Sequence, residues 1–210
     1  MYHIRLFIYI IGLACFSSTK AGSFDDFFRA VRTDNASGVA SLLERGFDPN
    51  ARDESGQTAL VLAIREKSDR VVDVLLRSRQ LDINSRNSVG ETALMLAALQ
   101  GHLELSQRLI AQGASISQAG WNPLHYAASG PEPKIVALLL QRGAPIEARS
   151  PNGTTALMMA AGYGNEQSVT LLLAQHADAA ARNERGLNAA DFARIAGRES
   201  LMKRLESRLQ

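Results

Sequence analysis

A seven-residue motif returns along this chain at nearly constant spacing. Its complete copies are TALVLAI (Thr58 to Ile64), TALMLAA (Thr92 to Ala98), NPLHYAA (Asn122 to Ala128) and TALMMAA (Thr155 to Ala161), and a degenerate copy, NAADFAR (Asn188 to Arg194), ends the series. Seventeen residues after the start of each complete copy stands an aliphatic pair: Leu75-Leu76, Leu109-Ile110, Leu139-Leu140 and Leu172-Leu173. Leu42-Leu43 extrapolates to a further start at Asp25, with Phe27 and Ala30 in the Leu and Ala slots. The starts fall at 25, 58, 92, 122, 155 and 188, spaced by 33, 34, 30, 33 and 33 residues. A period of this length describes a supersecondary unit that is too small to bury its own apolar face, so neighbouring units must stack.

Each unit reads as two short helices and a turn. Thr or Asn at the first motif position offers a side-chain oxygen to the unpaired N–H groups of a helix start. The Ala pair admits a close neighbour. The second segment, as in Asp69 to Arg77, sets Val72, Leu75 and Leu76 on one face at helical spacing. Gly46, Gly113 and Gly143 follow that segment, as does His176, where a left-handed residue ends a helix. Gly56, Gly90, Gly153 and Gly186 then turn the chain into the next unit. Scarce aromatics, 6% of the chain, suit close-packed helices better than a β-sandwich.

The combination resembles the ankyrin repeat family. It rests on T/N-x-L-x-x-A-A, on the Leu pair, on the small residues after the second helix, and on NARDESGQT from Asn50 to Thr58. It covers nearly all of the chain after residue 24. Ala replaces the family's Pro in most copies, and its His survives only as His125. The resemblance implies an all-α solenoid, a stack of about six helix-turn-helix units with short β-hairpin fingers. The units lie near 25–57, 58–91, 92–121, 122–154, 155–187 and 188–210, forming a single repeat domain over 22–210. Charged residues at both ends, Asp25, Asp26, Arg29 and Arg32 at one and Lys203, Arg204, Glu206 and Arg208 at the other, suit terminal caps.

Residues 1–21 have a different character. Arg5 precedes the apolar run Leu6 to Phe16, and Thr19 and Ala21 are small residues at a cleavage position. This is the pattern of a secretory signal peptide cut after Ala21, and the run is too short to span a membrane comfortably. A second reading keeps Cys15 as a lipid-modified cysteine, although Gly12 stands where a lipobox places Leu. Removing Arg5 and Lys20 from 23 basic residues balances the 21 acids, so the remaining chain has no charge excess that would favour nucleic acid. Cys15 is the only cysteine, which leaves an exported chain without disulfides and suits the bacterial periplasm. Membrane insertion after cleavage is not expected, and a monomer is.

No residue set converges for catalysis. His102, His125 and His176 belong to no metalloprotease motif, and no metal or cofactor site is read from the sequence. Gly162-Tyr163-Gly164 follows a helix rather than a strand, so it reads as an inter-helix turn. Asp53 and Glu54 read as acids on a solvated turn. What remains is a surface for folded protein partners. Arg52, Arg86, Arg149 and Arg182 recur at one finger position, either as a guanidinium ladder for carboxylates or as a family habit that aids solubility. Val89, Glu91, Trp121, Asn152 and Arg185 occupy neighbouring positions that the resemblance marks as candidate contacts. The finger before Asn122 is three residues short and lacks the Arg. It presents Trp121, the only tryptophan, flanked in sequence by the Arg86 and Arg149 fingers. Trp121 is either the base of an anchor pocket or a packing residue against the next unit. The alternative function is an enzyme or small-ligand protein with its site in the concave groove.

Overall fold

A helix start leaves N–H groups without partners, and the first motif residue supplies one. The computed structural model describes residues 22–209. In it, all five motif copies open a helix on such a cap. Thr58, Thr92 and Thr155 accept through Oγ1 from the N–H three residues on, at 3.3, 3.3 and 3.5 Å. Asn188 does the same for Asp191, whose carboxylate accepts the Asn188 N–H in return. Asn122 Oδ1 accepts from both Leu124 and His125, at 3.0 and 3.2 Å. Pro123 then occupies the first helical position, where its missing N–H removes no helical bond. Each cap contributes about 1 kcal/mol.

The described residues form twelve helices: α1 at 22–32, α2 Ala36–Glu44, α3 Ala59–Arg65, α4 Asp69–Leu75, α5 Ala93–Gln100, α6 Leu103–Ala111, α7 Pro123–Ser129, α8 Pro133–Gln141, α9 Ala156–Tyr163, α10 Glu166–Ala174, α11 Ala189–Ile195 and α12 Glu199–Glu206. They fall into two compact units that part between Asp82 and Ile83. The segment read as an export signal, with Cys15, lies outside the described residues. Among those described, no helix is long and apolar enough to cross a membrane.

The first unit holds α1 to α4. Phe27 is fully buried, stacked on Phe47 at 4.3 Å and edge-on to Phe28 at 5.3 Å. Arg32 on α1 reaches Asp53 Oδ2 at 2.7 Å. Asp53 also accepts the N–H groups of Ser55 and Gln57. The expected solvated acid is therefore a buried one that ties helix to finger, because three donors replace its water. Glu54, beside it, is exposed.

The second unit holds α5 to α12 in two layers. The inner helices α5, α7, α9 and α11 pack side by side, and each packs on the outer helix that follows it. The motif explains the layering. Ala97, Ala98, Ala127, Ala128, Ala160 and Ala161 are fully buried, and their small side chains admit the neighbouring helix. Leu94, Leu109, Leu124, Leu139, Leu157 and Leu172 fill the space between layers, none more than 1% exposed. Each such side chain contributes roughly 1.5–3 kcal/mol by burial.

The turns between paired helices carry the tightest packing. A Cβ on Gly130 would lie 2.6 Å from the Ala98 carbonyl oxygen, and one on Gly164 only 1.8 Å from that of Ala128. The main chain of each turn thus covers the carbonyl end of the preceding inner helix. At the last repeat an arginine takes over. Arg198 Nη1 is shared among the carbonyls of Ala160, Ala161 and Gly164, each at 3.0 Å, which adds a donor at the end of α9, where helix carbonyls run out of N–H partners; the Ala160 carbonyl also accepts the Gly164 N–H at 3.1 Å. After the outer helices, Gly113, Gly143 and His176 adopt φ of 92°, 85° and 64°, the left-handed ends expected from sequence. Gly162 and Tyr163 are still helical and Gly164 begins the turn, so this stretch is an inter-helix joint.

Candidate protein-binding surface

The fingers are hairpins of minimal length. In each full finger one residue pairs with the residue four places on: Asp53 N–H with Gln57 O at 2.9 Å, Asn87 with Glu91 at 2.9 Å, Ser150 with Thr154 at 3.0 Å, and Asn183 with Leu187 at 3.0 Å. A glycine three places on, at 56, 90, 153 or 186, has φ between 73° and 84° and bonds back to the first carbonyl. This is a tight turn closed by a left-handed glycine. The side chains of Asp53, Asn87 and Asn183 accept two finger N–H groups each, and Ser150 Oγ accepts one. With a single bridge, Arg52 to Thr58, among the described residues, the fingers are held by turn chemistry rather than by a sheet.

The finger arginines stabilise these turns. Arg52, Arg149 and Arg182 donate from Nη1 to the carbonyls of Gly56, Gly153 and Gly186, at 3.3, 3.2 and 2.6 Å. Arg149 Nη1 also reaches Arg182 O at 2.8 Å, and Glu184 N–H bonds Asn152 O at 3.1 Å, so the last two full fingers are joined. Arg182 further stands 3.8 Å from Asp191. All three arginines stay exposed, as do Arg86, Asn152 and Arg185, and Val89 is 72% exposed on its finger tip. Recurrence of Arg at this position thus has a local cause, the closing of its own finger.

The short finger works differently. Its turn is held by a side chain: Gln118 Nε2 donates to Trp121 O at 2.6 Å and lies 3.4 Å from Gly90 O. This places Trp121 half-buried, edge-on to His125 with centroids 5.3 Å apart. A cavity of about 320 Å³ opens beside the indole, lined by Glu91, Leu99, Trp121, His125, Tyr126 and Met159 among others. Tyr126 donates its hydroxyl to Glu91 Oε1 at 3.1 Å, and Asn87 Nδ2 donates to Oε2 at 2.7 Å. Of the nine sequence candidates, the cavity gathers Glu91 and Trp121. Arg86 and Arg149, read as its flanks, are not among its lining residues.

Sequence reasoning missed the rest of this wall. Leu96, Tyr126, Met159 and Phe192 share one motif position on the four inner helices. Leu96 is buried and the other three are half-buried. Phe192 lies over Gly162, where a Cβ would come within 3.2 Å of its ring. Leu99, Tyr163 and Ile195 extend the apolar strip, the last two 68% and 69% exposed. The available signal was the fifth motif position, which changes from Leu to Tyr, Met and Phe along the copies and always precedes the Ala of the sixth.

His125 forms part of the cavity wall and is buried. It donates from Nε2 to Thr154 O at 2.9 Å, which leaves Nδ1 as the unprotonated nitrogen, without a partner. Burial holds the imidazole below its ordinary pKa, against the pull of the Thr154 and Ala148 carbonyls. The unfolded chain therefore takes up a proton, near pH 6.5, before the folded chain does. Stability contributed here is complete above that pH and is lost as pH falls below it. Thermal melts from pH 8 to 5 should be flat at the upper end and slope downward below about 6.5. His125→Gln, which keeps a donor for Thr154 but cannot titrate, should flatten that slope.

Among the described residues no three His, Cys, Asp or Glu side chains gather as a metal-holding group. Family models described as ankyrin repeats match residues 42–94, 79–150 and 132–207. An ankyrin repeat-containing protein of Treponema pallidum (strain Nichols) is 27% identical over 175 residues, covering 81% of this chain and 47% of that one. The B-cell lymphoma 3 protein homolog of Mus musculus is 34% identical over 152 residues, 69% of this chain and 34% of that one. The mouse nuclear factor NF-kappa-B p105 subunit is 32% identical, with 66% and 15% covered. The chain thus spans less than half the length of these relatives. Among solved structures, a chain in the complex of a predatory endopeptidase from Bdellovibrio bacteriovorus with an immunity protein superposes with a TM-score of 0.73. It is 27% identical, and the match covers 87% of this chain and 97% of that one.

Proposed function

The chain belongs to the ankyrin repeat family, whose repeats generally mediate protein–protein interaction, and from that premise we propose that it is a periplasmic, non-catalytic module that holds one folded partner protein. The docking surface is the finger and inner-helix face of residues 83–209, centred on the Trp121 cavity. The observation that carries this reading is the apolar strip beside that cavity. Tyr126, Met159, Phe192, Tyr163 and Ile195 lie along successive inner helices and keep exposed area that folding did not bury. Surfaces of this kind mark interaction sites. Export to the periplasm rests on the apolar segment Leu6 to Phe16 and the small residues Thr19 and Ala21.

The partner class comes from similarity. The solved complex that contains a chain of this shape pairs a peptidase with an immunity protein. The present chain takes the immunity-like role: it binds an exported peptidase of its own cell and blocks it. To test this, residues 22–210 are mixed with purified exported peptidases encoded near the chain's own gene. A 1:1 complex on size exclusion with light scattering, accompanied by loss of peptidase activity, is expected. Absence of a stoichiometric complex, together with reproducible substrate turnover by the chain alone, would sink the proposal.

A further inference from the structure

We infer that the last two full fingers form a carboxylate-receiving edge, across which the partner lays an acidic segment that also carries apolar side chains. This rests on the reading above that the surface docks a folded protein. Three arginines stand on these fingers, Arg149, Arg182 and Arg185, all exposed, against one acid, Glu184. Arg149 uses Nη1 on the carbonyls of Gly153 and Arg182, and Arg182 uses Nη1 on that of Gly186. A guanidinium carries five N–H donors in a planar fork. The Nε and Nη2 groups of both arginines are therefore left without a partner among the described residues. Asp191 lies 3.8 Å from Arg182, but that carboxylate already pairs with Arg194 and accepts the Asn188 N–H.

The clamps hold these cations in place without neutralising them, because a carbonyl oxygen bears no net charge. Their rotamers are already fixed, so less side-chain freedom is lost when a carboxylate binds. The apolar strip continues from the same fingers. Met159 and Phe192 lie one turn into α9 and α11 and are half-buried, while Tyr163 and Ile195 follow about a turn later, 68% and 69% exposed. Cationic excess and apolar exposure thus coincide within residues 149–195. A purely apolar partner surface would strip water from the guanidinium groups and return nothing. A basic one would add like-charge repulsion. A phosphate would meet the cations and leave the strip uncovered. Aspartates or glutamates interspersed with apolar side chains answer both features, since a carboxylate matches the guanidinium fork.

The probe is an acetylated, amidated pentapeptide with glutamates on either side of a central phenylalanine. Its controls are the same peptide with glutamines in their place and inorganic phosphate. Each is titrated into residues 22–210 at constant ionic strength, following the Nε–H resonances of Arg149, Arg182 and Arg185. The acidic peptide should give saturable shifts with half-saturation in the millimolar range, and the controls only a linear drift. Arg149→Gln combined with Arg182→Gln, which keeps an N–H donor on each finger but no charge, should weaken the peptide roughly fivefold or more. Arg185→Glu and Glu184→Gln change side chains that make no finger bond, so the fold is kept. The first should weaken the peptide and the second tighten it. Equal saturation by either control, no saturable response to the acidic peptide, or unchanged affinity in both the double variant and Arg185→Glu would each overturn the assignment. If the acidic peptide fails while Trp121→Ala still breaks the peptidase complex, the carboxylate assignment falls and the docking reading stands. If the peptidase complex never forms, the docking reading falls.

Discussion

Gly164→Ala is expected to be the most damaging single-atom change available in the repeats, lowering the melting temperature by about 10 °C or more. The added Cβ would sit 1.8 Å from the carbonyl oxygen of Ala128, and that oxygen belongs to the main chain of the adjacent inner helix. No flexible side chain can move aside, so the two repeats must part. An overpacked core site costs typically 1–3 kcal/mol, and a backbone overlap of this depth belongs at or above the top of that range. At about 2–4 °C per kcal/mol for a chain of this size, the shift follows. The backbone at Gly164 has φ of −93°, which any residue can adopt, so the whole effect is steric. Gly113→Ala is the matched control. Its φ is 92° with open space around the missing Cβ, so only left-handed strain of about 1–2 kcal/mol applies. Scanning calorimetry should rank Gly164→Ala well below Gly113→Ala. Equal melting temperatures would show that the repeat joint yields more readily than its geometry says.

Trp121→Ala is expected to weaken the complex with the proposed partner peptidase 30- to 1,000-fold, the ratio that about 2–4 kcal/mol represents for a central aromatic anchor. The same change should move the melting temperature by only a few degrees. Trp121 makes one edge-on ring contact, with His125, worth about 0.5–1.5 kcal/mol beyond burial. Its turn is held by Gln118 through the Trp121 carbonyl, which alanine keeps. Its half-buried ring already faces the cavity, so truncation removes wall from the docking surface more than mass from the core. Calorimetric titration against the peptidase measures the first effect and a thermal melt the second. A loss of folding with unchanged affinity per folded molecule would make Trp121 a packing residue.

Much of this is legible in the sequence. Thr58, Thr92, Asn122, Thr155 and Asn188 cap helices because capping is a local reaction between a side-chain oxygen and N–H groups two or three residues on. Gly113, Gly143 and His176 end helices for an equally local reason. The repeat spacing located the aliphatic pairs, whose first members, Leu42, Leu75, Leu109, Leu139 and Leu172, are buried, while Leu43, Ile110, Leu140 and Leu173 beside them are half-buried. The candidate surface was legible only in part. Asp53 looked like a solvated acid because its main partner, Arg32, lies 21 residues away in sequence. For the finger arginines, recurrence alone cannot separate a contact from a clamp: Arg52, Arg149 and Arg182 are exposed and also bond the carbonyls of their own fingers. Arg86 and Arg149 were read as the flanks of Trp121, whereas the residues that line the cavity beside it include Glu91, Leu99, Tyr126 and Met159.

The period, the caps, the apolar faces and the family are properties of neighbours along the chain, and sequence alone determined them. The close approach of Gly164 to Ala128, the capture of three carbonyls by Arg198, and the acidic, aromatic-walled cavity at Trp121 depend on residues brought together from different repeats. Those distances are set by how helices stack, which is the sum of many weak packing contacts and is written at no single position. Tertiary structure alone decided them.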